Sequence, residues 1–187
     1  MTKQELIDCL ERTPIVAATQ DFGIEAALAS PAEIIFCLKS NILTVQKHIK
    51  DAHAIGKYIF VHIDLAEGIG RDRAGIEYLA MLGVDGIITT RTQTARQARD
   101  IGLIAVQRFF ALDSQGIESM AETLENFAPD LIEIMPGVIG KVILRFSKGD
   151  IPVIAGGLIE TKKEVLTALE CGAIAVSTGK RELWDMD

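Results

Sequence analysis

Two stretches of the chain follow the same local plan. Leu82–Thr90 reads LGVDGIITT, and Glu170–Gly179 reads ECGAIAVSTG. In both, a glycine follows the end of a predicted helix, a short turn comes next, and an apolar run then begins a strand. A helix that ends directly before a short apolar strand is typical of a parallel α/β sheet, in which helices connect neighbouring strands.

The same alternation extends outward along the whole chain. Between the strands, apolar residues recur at the three-and-four spacing of a one-sided helix, and Thr161 with Glu164 predicts a capping box at a helix start. The predicted helical stripes are Ile42, Val45, Ile49, Ala52 and Ile55; Ile117, Met120, Ala121, Leu124 and Phe127; and Val138, Ile139, Val142, Ile143 and Phe146. The predicted strands are Ile15–Ala18, Glu33–Leu38, Tyr58–Asp64, Gly86–Thr89, Ile104–Phe109, Leu131–Met135, Pro152–Ala155 and Ala173–Ser177.

Eight strands in one chain predict a small, closed, parallel (β/α)8 barrel of the TIM type, formed by residues 1–187 as a single domain. The alternative is an open flavodoxin-like sheet, and closure is favoured because it leaves no strand edge exposed. With 187 residues, each unit has roughly 23. The barrel must therefore be minimal, and Glu25–Ser30 predicts a first helix of barely two turns.

Composition limits the classes of function. The formal net charge is -7 and aromatic residues make up 5% of the chain, so any nucleic-acid contact must come from a local basic patch. Cys9, Cys37 and Cys171 show no metal-ligand spacing and predict reduced, mostly buried side chains. Met1–Arg12 has no apolar signal core, and no run is as long as a membrane span. We expect a cytoplasmic protein without a membrane partner.

The clearest functional signal lies after the last two predicted strands. Pro152–Thr161 reads PVIAGGLIET and Ala175–Lys180 reads AVSTGK. Glycines let backbone N–H groups approach phosphate oxygens, and a helix beginning near Gly179 would add further donors. The alternative is a tight turn with no ligand. The preferred interpretation is a phosphate site formed by Gly156, Gly157, Ser177, Thr178 and Gly179.

A second group of polar residues ends or interrupts other apolar strands. Lys39, Asp64 and Glu133 form either a ligand-binding set or a buried salt-bridge network, and both interpretations stay open. Asp64 with Glu67 and Asp72 is also compatible with a divalent cation, although no metal site is favoured. No histidine pairs with a serine or cysteine in a pattern typical of a hydrolytic triad.

Basic residues are grouped along one predicted helix. Lys141, Arg145 and Lys148 lie at helical spacing. Such a row is usually a solvated helix face, but it would also suit a polyanion.

In order along almost the entire chain, the sequence resembles the glycerol-3-phosphate-responsive antiterminators, regulators of bacterial glycerol uptake operons. The matching phrases are AATQD (Ala17–Asp21), IIFCLKSNI (Ile34–Ile42), VHIDLAEGIGRD (Val61–Asp72), DGIITTR (Asp85–Arg91), QRFFALDS (Gln107–Ser114), IEIMPGVIGKVI (Ile132–Ile143), PVIAGGLIET (Pro152–Thr161) and AVSTGKRELW (Ala175–Trp184).

This resemblance implies a barrel that binds glycerol 3-phosphate and lets transcription pass a terminator in the leader of an mRNA. The phosphate would lie at Gly156, Gly157, Ser177 and Thr178. The glycerol hydroxyls would face Asp21, Lys39, Asp64 and Glu133. It implies a regulator with no catalytic residue and no cofactor, and a homodimer is an open expectation. The alternative is a phosphosugar isomerase, aldolase or synthase, with Lys39 as a Schiff-base amine and Asp64 or Glu133 as general base.

Overall fold

The computed structural model describes residues 1–186 and forms a closed barrel of eight parallel strands. Each strand pairs with the next in chain order, and the eighth pairs back with the first. The closed (β/α)8 prediction is therefore confirmed, and the open-sheet alternative is wrong. The strands are β1 Ile15–Gln20, β2 Ile34–Lys39, β3 Tyr58–His62, β4 Gly86–Thr89, β5 Ile104–Phe110, β6 Leu131–Met135, β7 Val153–Gly156 and β8 Ala175–Thr178.

Eight α-helices accompany the strands within residues 1–186, but they do not all follow a strand. One precedes β1, seven follow β1 to β7, and in the described part of the chain β8 is followed only by the 3-10 turn Arg181–Leu183. Two further 3-10 turns are Asp21–Gly23 and Ile63–Leu65. The helices are α1 Lys3–Arg12, α2 Ile24–Ala29, α3 Val45–Ala54, α4 Arg73–Met81, α5 Thr92–Asp100, α6 Ser114–Asn126, α7 Gly140–Phe146 and α8 Lys162–Glu170.

Several element ends differ from the sequence prediction for local reasons. The third strand ends at His62 because Ile63–Leu65 turns into a 3-10 helix. The eighth strand begins at Ala175, since the Ala173 N–H donates to the Ala168 carbonyl and closes the end of α8. The first connecting helix is six residues long, as its short stripe predicts. The capping box of Thr161 and Glu164 is confirmed at the start of α8.

The apolar residues form two cores separated by the sheet. One lies between the strands and the surrounding helices, and the other fills the interior of the barrel. Alternate residues of each strand face the interior, as in other closed barrels. The lower interior is apolar, with Phe36 and Phe60 at a centroid distance of 5.6 Å. No helix within residues 1–186 is long and apolar enough to span a bilayer.

The end of the barrel at the amino termini of the strands is closed by α1. Leu6, Cys9 and Leu10 are buried there and belong to the same cluster as the interior strand residues. The opposite end, at the carboxyl termini of the strands, stays open. Polar side chains at the strand ends therefore meet at that open end.

Candidate functional site

The loop after β7 has an unusual backbone. Gly157 has a φ of 73°, and Leu158, at 59°, is the only non-glycine residue of residues 1–186 with a positive φ. Non-glycine residues rarely adopt this conformation, and those that do occur in turns and cluster at active sites and ligand-binding loops. A Cβ on Gly156 would lie 2.5 Å from Glu133 Oε1 and 2.6 Å from Ser177 Oγ. Glycine is therefore required at position 156 for close packing and favoured at 157 by the backbone.

This loop presents unused hydrogen-bond donors. Within residues 1–186, the backbone N–H groups of Gly157, Leu158, Ile159 and Gly179 donate to no backbone or side-chain acceptor. Consecutive N–H groups in a turn form a concave site for an anion. The two loops thus provide what the glycine pattern predicts, which is backbone donors at the ends of β7 and β8.

The hydroxyls of the second loop are already engaged. Ser177 donates to Glu133 Oε1, and Thr178 Oγ1 donates to the Ile159 carbonyl at 2.8 Å. The helix expected near Gly179 is only the single turn Arg181–Leu183, so it adds little dipole. Ser177 and Thr178 therefore connect β8 to β6 and to the β7 loop, and their hydroxyl protons are not free to reach a ligand unless these bonds rearrange.

Below these loops, the upper interior of the barrel is polar. Arg108 of β5 and Glu133 of β6 lie opposite each other in register, and Arg108 Nε donates to Glu133 Oε2 at 2.6 Å. The two residues are only 6% and 1% exposed. A buried ion pair is costly unless both partners are well hydrogen-bonded, so these two residues are candidates for a functional role.

His62 of β3 completes this polar layer. Burial and the nearby positive charge of Arg108 lower the pKa of His62 to about 4, so the imidazole is neutral at pH 7. Its Nδ1 atom is buried and has no hydrogen-bond partner within residues 1–186. No sequence pattern assigns this histidine a role, and the structure shows that one of its polar atoms is unsatisfied.

A cavity of about 100 Å³, which we call the loop cavity, connects the polar layer to the two loops. Its deep side is formed by charged and hydroxyl groups, and its outer side by the loop backbone. It is lined by Ala18, Leu38, Arg108, Glu133, Met135, Gly157, Leu158, Ile159, Ser177, Thr178 and Gly179. Four of the five residues predicted for phosphate binding line it, together with Glu133.

Asp64 lies outside this cavity and is held by the end of β4. Its Oδ1 accepts from the Thr89 hydroxyl at 2.9 Å, and its Oδ2 accepts from the Thr90 N–H and hydroxyl at 2.7 and 2.8 Å. Burial alone would raise the pKa of Asp64, but these three hydrogen bonds outweigh it and lower the pKa below its usual value. The carboxylate is thus charged and largely saturated.

Asp21 and Lys39 line a separate depression of about 260 Å³ between the ends of β1, β2 and β3. Lys39 Nζ lies 3.2 Å from Glu67 Oε1, and both side chains are more than half exposed. Asp21 Oδ1 accepts from the Thr44 hydroxyl at 2.8 Å and lies 3.1 Å from His48 Nδ1. The structure therefore brings Glu133 to the loop cavity but leaves Asp21, Lys39 and Asp64 on the other side of the mouth.

The carboxylates considered for a divalent cation are separated by their partners. Asp64 binds the β4 end, Glu67 pairs with Lys39, and Asp72 caps α4 through a hydrogen bond from the Gly75 N–H. Within residues 1–186, no group of three or more histidine, cysteine, aspartate or glutamate side chains is arranged to hold a metal ion.

Arg108 is the main residue that sequence reasoning missed. It is a polar residue within an apolar strand, and the alternation of side chains along β5 decides whether it faces the barrel interior or the helices. Ile104 and Val106 face the barrel interior, so alternation places Arg108 on the same face and Gln107 toward α5, where it donates to Thr92 at 2.9 Å. Counting in steps of two from the buried interior residues would have found it.

The sequence matches one protein family over most of its length. The family model described as "Glycerol-3-phosphate responsive antiterminator" matches residues 15–184, which include every strand of the barrel. The chain belongs to the glycerol-3-phosphate responsive antiterminator family. The resemblance found in the sequence phrases is thereby confirmed.

The chain is similar over almost its whole length to proteins of known structure and to one further bacterial protein. A glycerol uptake operon antiterminator regulatory protein from Listeria monocytogenes str. 4b F2365 is 33% identical, with a TM-score of 0.87 over 92% of this chain and 95% of that one. A glycerol uptake operon antiterminator-related protein from Thermotoga maritima MSB8 is 36% identical, with a TM-score of 0.82 over 93% and 99%. The uncharacterized protein YgcP of Escherichia coli (strain K12) is 32% identical over 97% of this chain and 96% of its own. An aldolase with a TM-score of 0.71 is only 13% identical and shows the fold alone.

Proposed function

We propose that this protein senses glycerol 3-phosphate and acts as an antiterminator on the leader mRNA of glycerol-uptake genes in the cytoplasm. The observation that carries the proposal is the cavity in which free backbone N–H groups face a buried Arg108–Glu133 pair. Such a site suits a ligand with an anionic end and a hydroxyl-bearing end. Membership of the responsive antiterminator family supports this choice of ligand and role.

The phosphate is proposed to bind at Gly156, Gly157, Ser177, Thr178 and Gly179. At 157 and 179 the donors are backbone N–H groups; Gly156 allows close packing, and Ser177 and Thr178 hold the loops in place. The cavity of about 100 Å³ opens outward between the two loops and accommodates a small ligand or one end of it. A three-carbon phosphate that extends toward the open end of the barrel suits it better than a nucleotide does.

The side chains proposed to contact the glycerol hydroxyls lie at different distances from the proposed phosphate site. Glu133 lines the same cavity and is the direct candidate. Asp21 and Lys39 lie at the neighbouring depression, and Asp64 is held by Thr89 and Thr90. We propose that these three residues contact a ligand that extends from the loop cavity across the open end of the barrel toward the ends of β1 to β3.

Titration calorimetry with glycerol 3-phosphate on Gly157→Ala and Gly102→Ala tests the ligand site. Both glycines have a positive φ, so each alanine strains the backbone by about 1–2 kcal/mol. At Gly157 the new Cβ would also lie 2.5 Å from Met135 Cε, the flexible end of a side chain that lines the loop cavity and can shift at little cost, whereas at Gly102 it meets nothing within 4 Å. We expect similar losses of stability in both variants, but weaker glycerol 3-phosphate binding only in Gly157→Ala. Wild-type protein that releases no heat with this ligand would refute the proposal.

The environment of Lys39, the candidate Schiff-base lysine, does not favour an enzymatic role. A Schiff-base lysine is activated by a desolvated or cation-rich environment. Lys39 is more than half exposed and pairs with the carboxylate of Glu67. We therefore propose a regulator rather than an aldolase-type enzyme, and turnover of a phosphosugar at an ordinary enzymatic rate would reverse this choice.

A further inference from the structure

The loop cavity has two chemically different sides. On the outer side, the N–H groups of Gly157, Leu158 and Gly179 are donors without acceptors in residues 1–186. On the deep side, Arg108 and Glu133 form an ion pair whose two charges cancel. A phosphate dianion placed against Glu133 would be repelled, so the phosphate belongs to the outer side. The uncharged part of the ligand must then face the Arg108–Glu133 pair. A Cβ on Gly156 would lie 2.5 Å from Glu133 Oε1, and Gly157 is the next residue, so Glu133 lies close to the phosphate donors and meets the hydroxyl nearest the phosphate, which is the one on the central carbon.

This pair offers a defined set of donors and acceptors. Each oxygen of Glu133 accepts one hydrogen bond from the protein, from Ser177 at Oε1 and from Arg108 Nε at Oε2. A carboxylate oxygen has two lone pairs, so Glu133 retains capacity to accept but none to donate. The terminal nitrogens of Arg108 make no hydrogen bond within residues 1–186, and they can only donate. A group that both donates and accepts is therefore the complement of the pair.

A hydroxyl meets this requirement, whereas a ketone does not. A hydroxyl donates to Glu133 and accepts from Arg108, whereas a carbonyl oxygen only accepts and leaves the Glu133 lone pairs facing another acceptor. Because Glu133 is 1% exposed, water cannot readily compensate for the missing donor. Sites that hydrogen-bond a particular hydroxyl discriminate strongly against analogues that lack it.

We propose that the Arg108–Glu133 pair makes the site selective for the hydroxyl on the central carbon, so that it takes glycerol 3-phosphate and rejects dihydroxyacetone phosphate. This inference rests on the proposed function, since it assumes a three-carbon phosphate in the loop cavity. It assigns Glu133 and Arg108 as specificity-determining residues. The protein then responds to glycerol 3-phosphate and not to dihydroxyacetone phosphate, which is its oxidised counterpart.

A series of ligands on the wild-type protein tests the proposal without any variant. Titration calorimetry is carried out with glycerol 3-phosphate, dihydroxyacetone phosphate, 3-hydroxypropyl phosphate and inorganic phosphate. We expect glycerol 3-phosphate to bind roughly ten- to hundred-fold more tightly than the two analogues that lack the central hydroxyl. Equal affinity for glycerol 3-phosphate and dihydroxyacetone phosphate would overturn the inference while leaving the proposed function intact. No binding of glycerol 3-phosphate at all would instead mean that the proposed function has failed.

The variant Glu133→Gln tests the role of the carboxylate. A glutamine amide keeps an oxygen for Arg108 and adds an N–H donor, so it can pair with a ketone. We expect the preference for glycerol 3-phosphate over dihydroxyacetone phosphate to shrink at least five-fold, while inorganic phosphate binds no more weakly than in the wild type. Glu118→Gln, on the outer face of α6 where Glu118 pairs with Arg145, is the matched control and should preserve the preference. A Glu133→Gln variant that loses affinity for all ligands by the same factor would contradict the proposal.

Discussion

At the scale of single residues, Asp64 shows how the mouth of the barrel accommodates a buried charge. The side chain is only 8% exposed, yet three hydrogen bonds from Thr89 and Thr90 hold it in the ionised form. These bonds connect the 3-10 turn after β3 to the end of β4. The carboxylate therefore stabilises two neighbouring strand ends of the mouth.

Replacing Asp64 by asparagine should destabilise the fold in a pH-dependent manner. One acceptor oxygen becomes an N–H group facing donors, which we expect to cost about 1–3 kcal/mol at neutral pH. Because the pKa of Asp64 is lowered in the folded state, its stabilising effect is present above the unfolded value near 3.8 and is lost as pH falls through the lower folded value. Chemical denaturation of both proteins between about pH 7 and pH 3 should show the difference narrowing at acidic pH.

The control for this measurement is Asp51→Asn. Asp51 pairs with Lys47 on the surface of α3, where such pairs contribute little. If the difference in the free energy of unfolding between the wild type and Asp64→Asn stays constant down to pH 3, the carboxylate is not the stabilising group.

At the scale of elements, α1 forms the floor of the barrel. Thr2 and Glu5 form a capping box at its start, and Leu6, Cys9 and Leu10 project into the interior cluster. In the sequence, this segment is distinguished only by the lack of an apolar signal core. Four apolar residues in ten do not reveal that a helix closes a barrel, because that role depends on the diameter of the opening that the helix covers.

Leu10→Ala should lower stability without changing ligand affinity. Leu10 is fully buried, and removing such a side chain leaves a cavity that typically costs about 2–5 kcal/mol. The floor lies at the end of the barrel opposite the loop cavity, so glycerol 3-phosphate should bind the folded variant as it binds the wild type. Met81→Ala, at an 84% exposed position of α4, should change the free energy of unfolding by less than about 0.5 kcal/mol. Equal effects of the two substitutions in urea denaturation would show that α1 does not close the core.

How far sequence patterns predict this molecule depends on how local each determinant is. The strands and the Thr161–Glu164 cap follow from residues close in the chain, and they were predicted correctly. The glycines at 156 and 157 also mark a local backbone requirement. The Arg108–Glu133 pair could not be predicted in this way, because it depends on the register between β5 and β6. The separation of Asp21 and Lys39 from Glu133 likewise depends on the barrel geometry and not on strand-end composition.

At the scale of the whole molecule, the charge distribution limits where RNA can bind. The formal net charge is -7, so the protein as a whole repels a polyanion. The predicted row of Lys141, Arg145 and Lys148 offers less positive charge to an RNA than its helical spacing indicates. Arg145 is engaged by both oxygens of Glu118 at 2.7 and 2.9 Å, and Lys148 follows the end of α7.

A different group of cations remains on the α7–α8 surface. Within residues 1–186, Lys141, Lys162 and Lys163 are exposed and form no ion pair. Lys163 and Gly140, the neighbour of Lys141, line a groove of about 260 Å³ between the two helices. The same helices follow β6 and β7, so the chain connects this surface directly to the loop after β7, which lines the loop cavity.

We therefore predict that leader RNA contacts the surface of Lys141, Lys162 and Lys163. The double variant Lys141→Glu/Lys163→Glu should weaken binding of a leader transcript, and the slope of log K against log[salt] should become shallower by about 0.7 for each RNA phosphate that the variant no longer neutralises. The paired control Lys3→Glu/Lys50→Glu, at exposed positions of α1 and α3, changes the net charge by the same amount elsewhere and should have a much smaller effect. Filter binding across a salt series, with and without glycerol 3-phosphate, measures both quantities. A control that weakens binding as much as the double variant would exclude this surface, because the effect would then reflect only the total charge of the protein.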